Sequence, residues 1–156
     1  MVYILSNMWY NNTYREENMN YIDVNGCSPR RYNLVHEAAA WCVNRIMPRM
    51  RTLDIDIEMM PSNKMDDSEG LCWSIDKRHF MIQIKKGMNR DDLLTTIFHE
   101  IVHVKQHARG EYVSSDYKTH KQYMAQPCEK EAYIMQEILL KEWKEYQDGL
   151  GVPSTI

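Results

Sequence analysis

The spacing of hydrophobic positions changes along the chain and separates helical from extended segments. After Ser28-Pro29, apolar residues recur at three- and four-residue intervals, which predicts a helix that Pro48 ends. Across residues 53–59 the period becomes two, because apolar residues alternate with acidic ones, and this indicates a strand with one buried and one solvated face. The predicted buried stripe of the helix consists of Val35, Ala39, Cys42, Val43 and Ile46.

Two further alternating runs predict a β-hairpin. Apolar residues alternate over 71–75 and again over 80–84, and the charged segment 76–79 between them is typical of a turn. Short strand-like runs also occur at 2–5 and 21–24, but residues 1–27 are mostly polar. We therefore interpret 1–27 as an N-terminal extension.

The next periodic segment is helical and contains an H-E-x-x-H motif. Asn89 is the predicted N-cap, the helix covers residues 90–108, and Gly110 ends it. A connection at 111–127 shows no clear period and leads to a final helix at 127–147. The apolar stripe predicted for the motif helix contains Leu93, Leu94, Ile97, Ile101 and Val104, with the motif histidines pointing away from it.

The order helix, strand, hairpin, helix predicts an α+β fold. We expect a sheet of about three strands that contains an antiparallel pair, with no alternating parallel units. The length of 156 residues fits one domain over 1–156, with a flexible tail at 149–156.

Composition narrows the classes of partner and compartment. A net charge of -3 and a pI near 6.1 give no basic footprint for nucleic acid. Four cysteines without a C-x-x-C pair favour free thiols in a reducing compartment. The sequence has neither a secretory signal nor an apolar run of about 20 residues, so we expect a soluble, cytoplasmic protein that does not bind membranes. Composition leaves the oligomeric state open.

The H-E-x-x-H motif predicts a metal site. On a helix that advances about 100° per residue, His99 and His103 lie about 40° apart on one face, so both imidazoles reach a single ion. Glu100 lies beside that face, where its carboxylate can deprotonate a metal-bound water without being a ligand. The motif therefore supplies two ligands and a catalytic base.

A third protein ligand is expected for such a site. His107 lies about 12 Å along the helix from His99, too far to share one ion. The final helix offers Glu129 and Glu131, and we predict Glu131, because it falls inside the predicted apolar stripe while Glu129 lies about 160° away. That stripe contains Ala132, Ile134, Met135, Ile138 and Leu139.

The pattern His99-Glu100-x-x-His103 followed by Glu131-Ala132 resembles the gluzincins, the thermolysin-like zinc peptidases. It is most similar to the small zincin domains of bacteria and phages, including ImmA-like metallopeptidases, and the resemblance covers about residues 51–147. It implies a zincin-like fold, Zn²⁺ bound by the two histidines and Glu131, and Glu100 as the base. It also implies that a substrate peptide pairs with the strand at 80–84.

Two features of the family are not identified in this sequence. Thermolysin-like enzymes have an Asp one turn after the ligand Glu to orient a histidine, and here that position is Met135, so the outer partners of the histidines are unknown. No motif fixes the residue that stabilises the oxyanion. The candidates for it are Tyr112, Tyr117, His120, Tyr123 and Tyr133.

The sequence therefore predicts a zinc-dependent endopeptidase that acts on a protein or peptide of unspecified identity. The first alternative is a non-catalytic, zinc-stabilised module of the same fold that binds a protein. A second alternative is a metal-free interaction protein in which the motif is accidental.

Overall fold

The sheet formed by the described part of the chain is mixed and has four strands. The computed structural model describes residues 19–150, and within them the strands follow the spatial order β1-β2-β4-β3. β1, β2 and β4 are parallel, and β3 pairs antiparallel with β4 at one edge. The predicted hairpin and the α+β class are confirmed. The strands are β1 (Tyr21–Asn25), β2 (Asp54–Met60), β3 (Gly70–Ser74) and β4 (His79–Lys85).

The predictions of about three strands and of no parallel unit are wrong. Residues 21–25, which we assigned to an N-terminal extension, form β1 and pair in parallel with β2 across an intervening helix. In this register Ile22 lies beside Ile55, and Val24 beside Ile57, so the buried positions of the two strands coincide. A five-residue run does not reveal a partner that lies a whole helix away. The predicted run at 2–5 and residues 151–156 of the predicted tail lie outside the described residues.

The first two long helices begin directly after an N-cap residue whose side chain accepts a backbone hydrogen bond. Ser28 Oγ accepts a hydrogen bond from the Arg31 N–H at 3.4 Å, and Asn89 Oδ1 accepts one from the Asp92 N–H at 2.9 Å. The connection after the motif helix contains one short helix. The helices are α1 (Pro29–Ile46), α2 (Arg90–Ala108), α3 (His120–Met124) and α4 (Pro127–Gly149).

The core lies between one face of the sheet and the helices. Alternate residues of β2 and β4 are buried and belong to the same cluster as the predicted stripe of α1. α2 contacts α1, α4, β3 and β4, so it is buried on nearly every side rather than along one stripe. Trp41, Phe98 and Trp143 join α1, α2 and α4 through ring contacts of 5.5–6.4 Å. Across residues 19–150, every helix is too short or too polar to span a membrane.

Candidate metal centre

The two motif histidines converge inside the protein. They lie one turn apart on α2, where α4 covers them, and their residues are only 8% and 6% exposed. The Nε2 atoms of His99 and His103 are 3.2 Å apart. The sequence placed these imidazoles together correctly. It did not predict their burial, because α2 is enclosed on several sides.

Glu129 completes this group. Its Oε1 lies 3.0 Å from His103 Nε2, and its Oε2 lies 3.2 Å from His99 Nε2. Burial alone would raise the pKa of Glu129, but its bonds to His103 and His99 outweigh burial and leave that pKa well below its usual range. Burial lowers the pKa of His103, and the bond to Glu129 reverses this, so the pKa is raised overall.

The structure places Glu131 outside this group and corrects its predicted position. The Glu131 side chain is 41% exposed, and its Oε1 lies 2.6 Å from Lys105 Nζ. The three residues whose donor atoms converge are His99, His103 and Glu129.

The wrong choice of glutamate has a specific cause. The stripe we predicted for the last helix relied on Ile134 and Ile138, which are 63% and 42% exposed. The buried face instead runs through Cys128, Ala132, Leu139 and Trp143. Trp143 was the useful signal: Glu129 lies about 40° from it around the helix, and Glu131 lies about 120° away.

Two glutamines hold the outer nitrogens of the histidines. His99 Nδ1 lies 2.9 Å from Gln136 Oε1, and His103 Nδ1 lies 2.7 Å from Gln106 Oε1. The amide orientations are set by the other ends, since Gln106 Nε2 donates to the Cys128 carbonyl at 3.0 Å and Gln136 Nε2 donates to the Glu137 carboxylate at 3.2 Å. Each Nδ1 therefore carries the proton. These glutamines are the outer partners that the sequence left unidentified.

This arrangement fits a cation. When the imidazoles are neutral, their single protons lie on Nδ1, and the two Nε2 atoms present lone pairs to each other and to the Glu129 carboxylate. Glu129 Oε2 is buried, and within residues 19–150 its one close polar contact is His99 Nε2 at 3.2 Å, which carries no proton in this form. Ligands about 2.0 Å from a tetrahedral zinc ion lie about 3.3 Å apart, close to the 3.0–3.2 Å separations here. A bound cation would satisfy all three groups at once.

Glu100 lies beside the group on the same helix and is 5% exposed. Burial raises its pKa to about 7, while His99 and His103 oppose the rise. Gly70 of β3 packs directly against it: a Cβ at this position would lie 2.7 Å from Glu100 Oε1 and 2.7 Å from Thr96 Cγ2. A side chain there would displace the carboxylate, so the site requires glycine at position 70.

Three of the predicted oxyanion candidates surround the histidines. The Tyr133 ring lies 4.6 Å from that of His99, and the Tyr112 ring lies 5.7 Å from that of His103. Burial, and next the Glu129 carboxylate, raise the pKa values of Tyr112, Tyr123 and Tyr133. These hydroxyls thus remain protonated donors at neutral pH.

The other two oxyanion candidates are more remote. The rings of Tyr117 and His120 contact only Tyr123, at 5.1 and 6.3 Å, among the ring contacts of the described residues. His107, which we excluded as a ligand, stacks on Tyr112 at 4.1 Å.

A second group of potential ligands lies on β2 and β4. Asp54, Asp56 and His79 bring donor atoms within 4.8 Å of one another, and all three are partly exposed. His79 Nε2 is 2.6 Å from Asp56 Oδ2, which identifies an ion pair. We interpreted these aspartates as the solvated face of a strand, and they do lie on the side of β2 opposite its buried isoleucines.

No protein-family model matches the chain, and neither the curated proteins nor the solved structures contain a match. The site is therefore interpreted from its own geometry.

Proposed function

We propose that this chain is a zinc-dependent peptidase, with zinc held by His99, His103 and Glu129 and with Glu100 as the general base. The observation that carries the proposal is the convergence of donor atoms from His99, His103 and Glu129 next to a second acidic side chain, Glu100, that is not part of this triangle. Two imidazoles and one carboxylate are a ligand set typical of catalytic zinc, which keeps one coordination position open. A structural zinc site is closed by four protein ligands and has no use for a neighbouring base.

The catalytic roles divide among separate residues. Bound zinc would supply a Lewis acid that polarises the scissile carbonyl and acidifies a water. Glu100 takes the proton of the attacking water and delivers it to the leaving amine. Gln106 and Gln136 keep the histidines oriented. A hydroxyl from Tyr112, Tyr123 or Tyr133 donates to the developing oxyanion.

The peptide would pair with β3 rather than with the strand we predicted. Residues 80–84 belong to β4, which is hydrogen-bonded to β2 on one side and to β3 on the other, so it has no free edge. β3 ends the sheet of the described residues and contacts α2 beside Glu100. An extended peptide added to β3 would therefore pass next to the base.

The test is cleavage of unstructured protein substrates by zinc-loaded wild type and Glu100→Gln. We expect the variant to keep its zinc and to lose activity by a factor of about 100 or more, because a positioned general base contributes about that much. Glu131→Gln is the matched control, since it makes the same chemical change on a half-exposed residue outside the triangle, and it should stay active. Undiminished cleavage by Glu100→Gln would refute the mechanism, whereas zinc binding without cleavage by wild type would favour the protein-binding module.

A further inference from the structure

A cavity of about 640 Å³ lies at the other end of α2, away from the metal centre. It opens where the parallel strands β1, β2 and β4 finish and where α1 and α2 begin. In sheets with parallel strands, ligands bind in the crevice outside the carboxyl ends of the strands. The volume is within the usual range for sites that bind small molecules. The position and size of this cavity are therefore those of a ligand site.

The walls of the cavity are positively charged. Arg31 of α1 and Lys85 and Lys86 at the end of β4 line it. No acidic side chain contributes to the lining within residues 19–150, although the chain as a whole has a net charge of -3. Three cationic residues thus line one concave surface in an acidic protein. An uncharged ligand would gain nothing from this arrangement, whereas an anion would.

The cations are partly fixed by the backbone. Arg31 Nη2 donates to the Met88 carbonyl at 3.5 Å, which ties the start of α1 to the loop before α2 and uses one of the five N–H groups of the guanidinium. Lys86 N–H donates to the Met60 carbonyl at 2.9 Å, so the residue is anchored beside the end of β2. The pKa of the Cys27 thiol is raised by burial, and Lys86 and Arg31 oppose that rise, as expected if both charges lie near it.

Apolar residues also line the cavity, namely Met59, Met88 and Leu93. Gly26, with φ at +85°, lets the loop after β1 pass close to β2, since a Cβ there would lie 2.5 Å from the Met59 carbonyl oxygen. The lining of the cavity therefore combines cationic and apolar residues.

We propose that this cavity binds a small organic phosphate, with the phosphate held by Arg31 and Lys86 and the organic part against the methionines. Arg and Lys are the side chains that proteins use to bind phosphate, and several positive charges match a dianion better than a singly charged carboxylate. The proposal is independent of the peptidase proposal, because none of these residues belongs to the metal centre.

The experiment is calorimetric titration of the full, zinc-loaded chain with phenyl phosphate, inorganic phosphate and benzoate. We expect phenyl phosphate to bind more tightly than either of the others, since only it combines an apolar ring with a doubly charged anionic group. Arg31→Gln combined with Lys86→Gln should weaken phenyl phosphate binding by about tenfold or more. The control pair, Arg109→Gln with Lys141→Gln, removes the same charges from exposed positions elsewhere and should leave binding unchanged.

Phosphates also ligate zinc, so Glu129→Gln is titrated in parallel. Binding that persists in Glu129→Gln and falls in the Arg31 and Lys86 variant supports the proposal. Binding that is lost in Glu129→Gln alone would place the anion on the metal and overturn it. Equal affinity in the double variant and its control pair, or a preference for benzoate, would overturn it as well.

Discussion

The two clusters of histidine and carboxylate in this protein contain similar residues and differ in where the histidine protons lie. At the candidate metal centre, glutamines accept the Nδ1 protons, so in the neutral histidines the Nε2 atoms of His99 and His103 meet Glu129 as lone pairs. On the sheet, His79 Nε2 itself lies 2.6 Å from Asp56, which requires a proton between them. The first cluster is buried and the second is partly exposed to water.

The comparison of the two clusters shows that residue types and mutual distances are not enough to identify a metal site. Two carboxylates and a histidine in water satisfy one another as an ion pair at little cost. Two histidines and a carboxylate inside the protein, with their Nδ1 protons directed outward, form a site that a bound cation would satisfy. The partners behind the ligands thus distinguish the two clusters.

The largest effect should come from removing the carboxylate of the metal centre. Glu129→Gln should lower zinc affinity by about a hundredfold or more, because loss of a direct ligand exceeds the 10–100-fold loss typical of outer partners. Glu131→Gln should keep about one zinc per chain. Elemental mass spectrometry of protein purified without chelator measures both. If zinc is kept in Glu129→Gln and lost in Glu131→Gln, the third ligand is Glu131, as the sequence predicted.

A smaller effect is expected when an outer partner is removed. Gln136→Leu leaves His99 Nδ1 without its acceptor, so the ring loses its fixed orientation, and zinc affinity should fall by about tenfold. Competition with a chromophoric chelator measures this change. The neighbouring Glu137→Gln keeps an acceptor for the Gln136 amide and serves as the control. An unchanged affinity in Gln136→Leu would mean that the proton positions do not distinguish the two clusters.

The smallest effect concerns the cluster on the sheet. The bond to Asp56 raises the pKa of His79, with further help from Asp54 and Asp76. A raised folded-state pKa stabilises the protein below the ordinary pKa of histidine, and this contribution disappears as pH rises through the folded-state value. His79→Gln should therefore lower the free energy of unfolding by about 0.5 kcal/mol in mildly acidic buffer and by less in alkaline buffer.

Urea unfolding at the two pH values measures this difference, with His120→Gln as an exposed control. If His79→Gln instead lowers stability only when zinc is present, the cluster on the sheet binds metal too.

Elements with strong local signals were predictable from the sequence. Ser28 and Asn89 placed the starts of α1 and α2, and the alternation in β2 and in the hairpin gave three of the four strands. The run at 21–24 was noted as strand-like, but its place in the sheet was missed because that place depends on pairing with β2, which is far away in sequence. Parallel pairing is non-local and leaves little trace in a short run of residues.

The site was predictable only as far as one helix determines it. His99, Glu100 and His103 lie together because of the helical repeat, so their spacing was sufficient. The third ligand depends on how α4 is rotated against α2, and exposed isoleucines at 134 and 138 suggested the wrong rotation. Gln136 and Gly70 act through tertiary contacts that their local sequence does not reveal. Gln106 lies one turn from His103 on the same helix, but its amide is oriented by the Cys128 carbonyl of α4, which local sequence does not show either.

The parallel pairing of β1 has a consequence for how the chain acquires its fold during synthesis. β3 and β4 are joined by a short turn, so they can pair as soon as both have been made. β1 is synthesised first, yet its partner β2 follows only after the whole of α1. Until then the backbone of β1 and its two buried side chains have no partner strand within the described chain. Misassembly, such as pairing between two nascent chains, would therefore begin at this strand rather than at the hairpin.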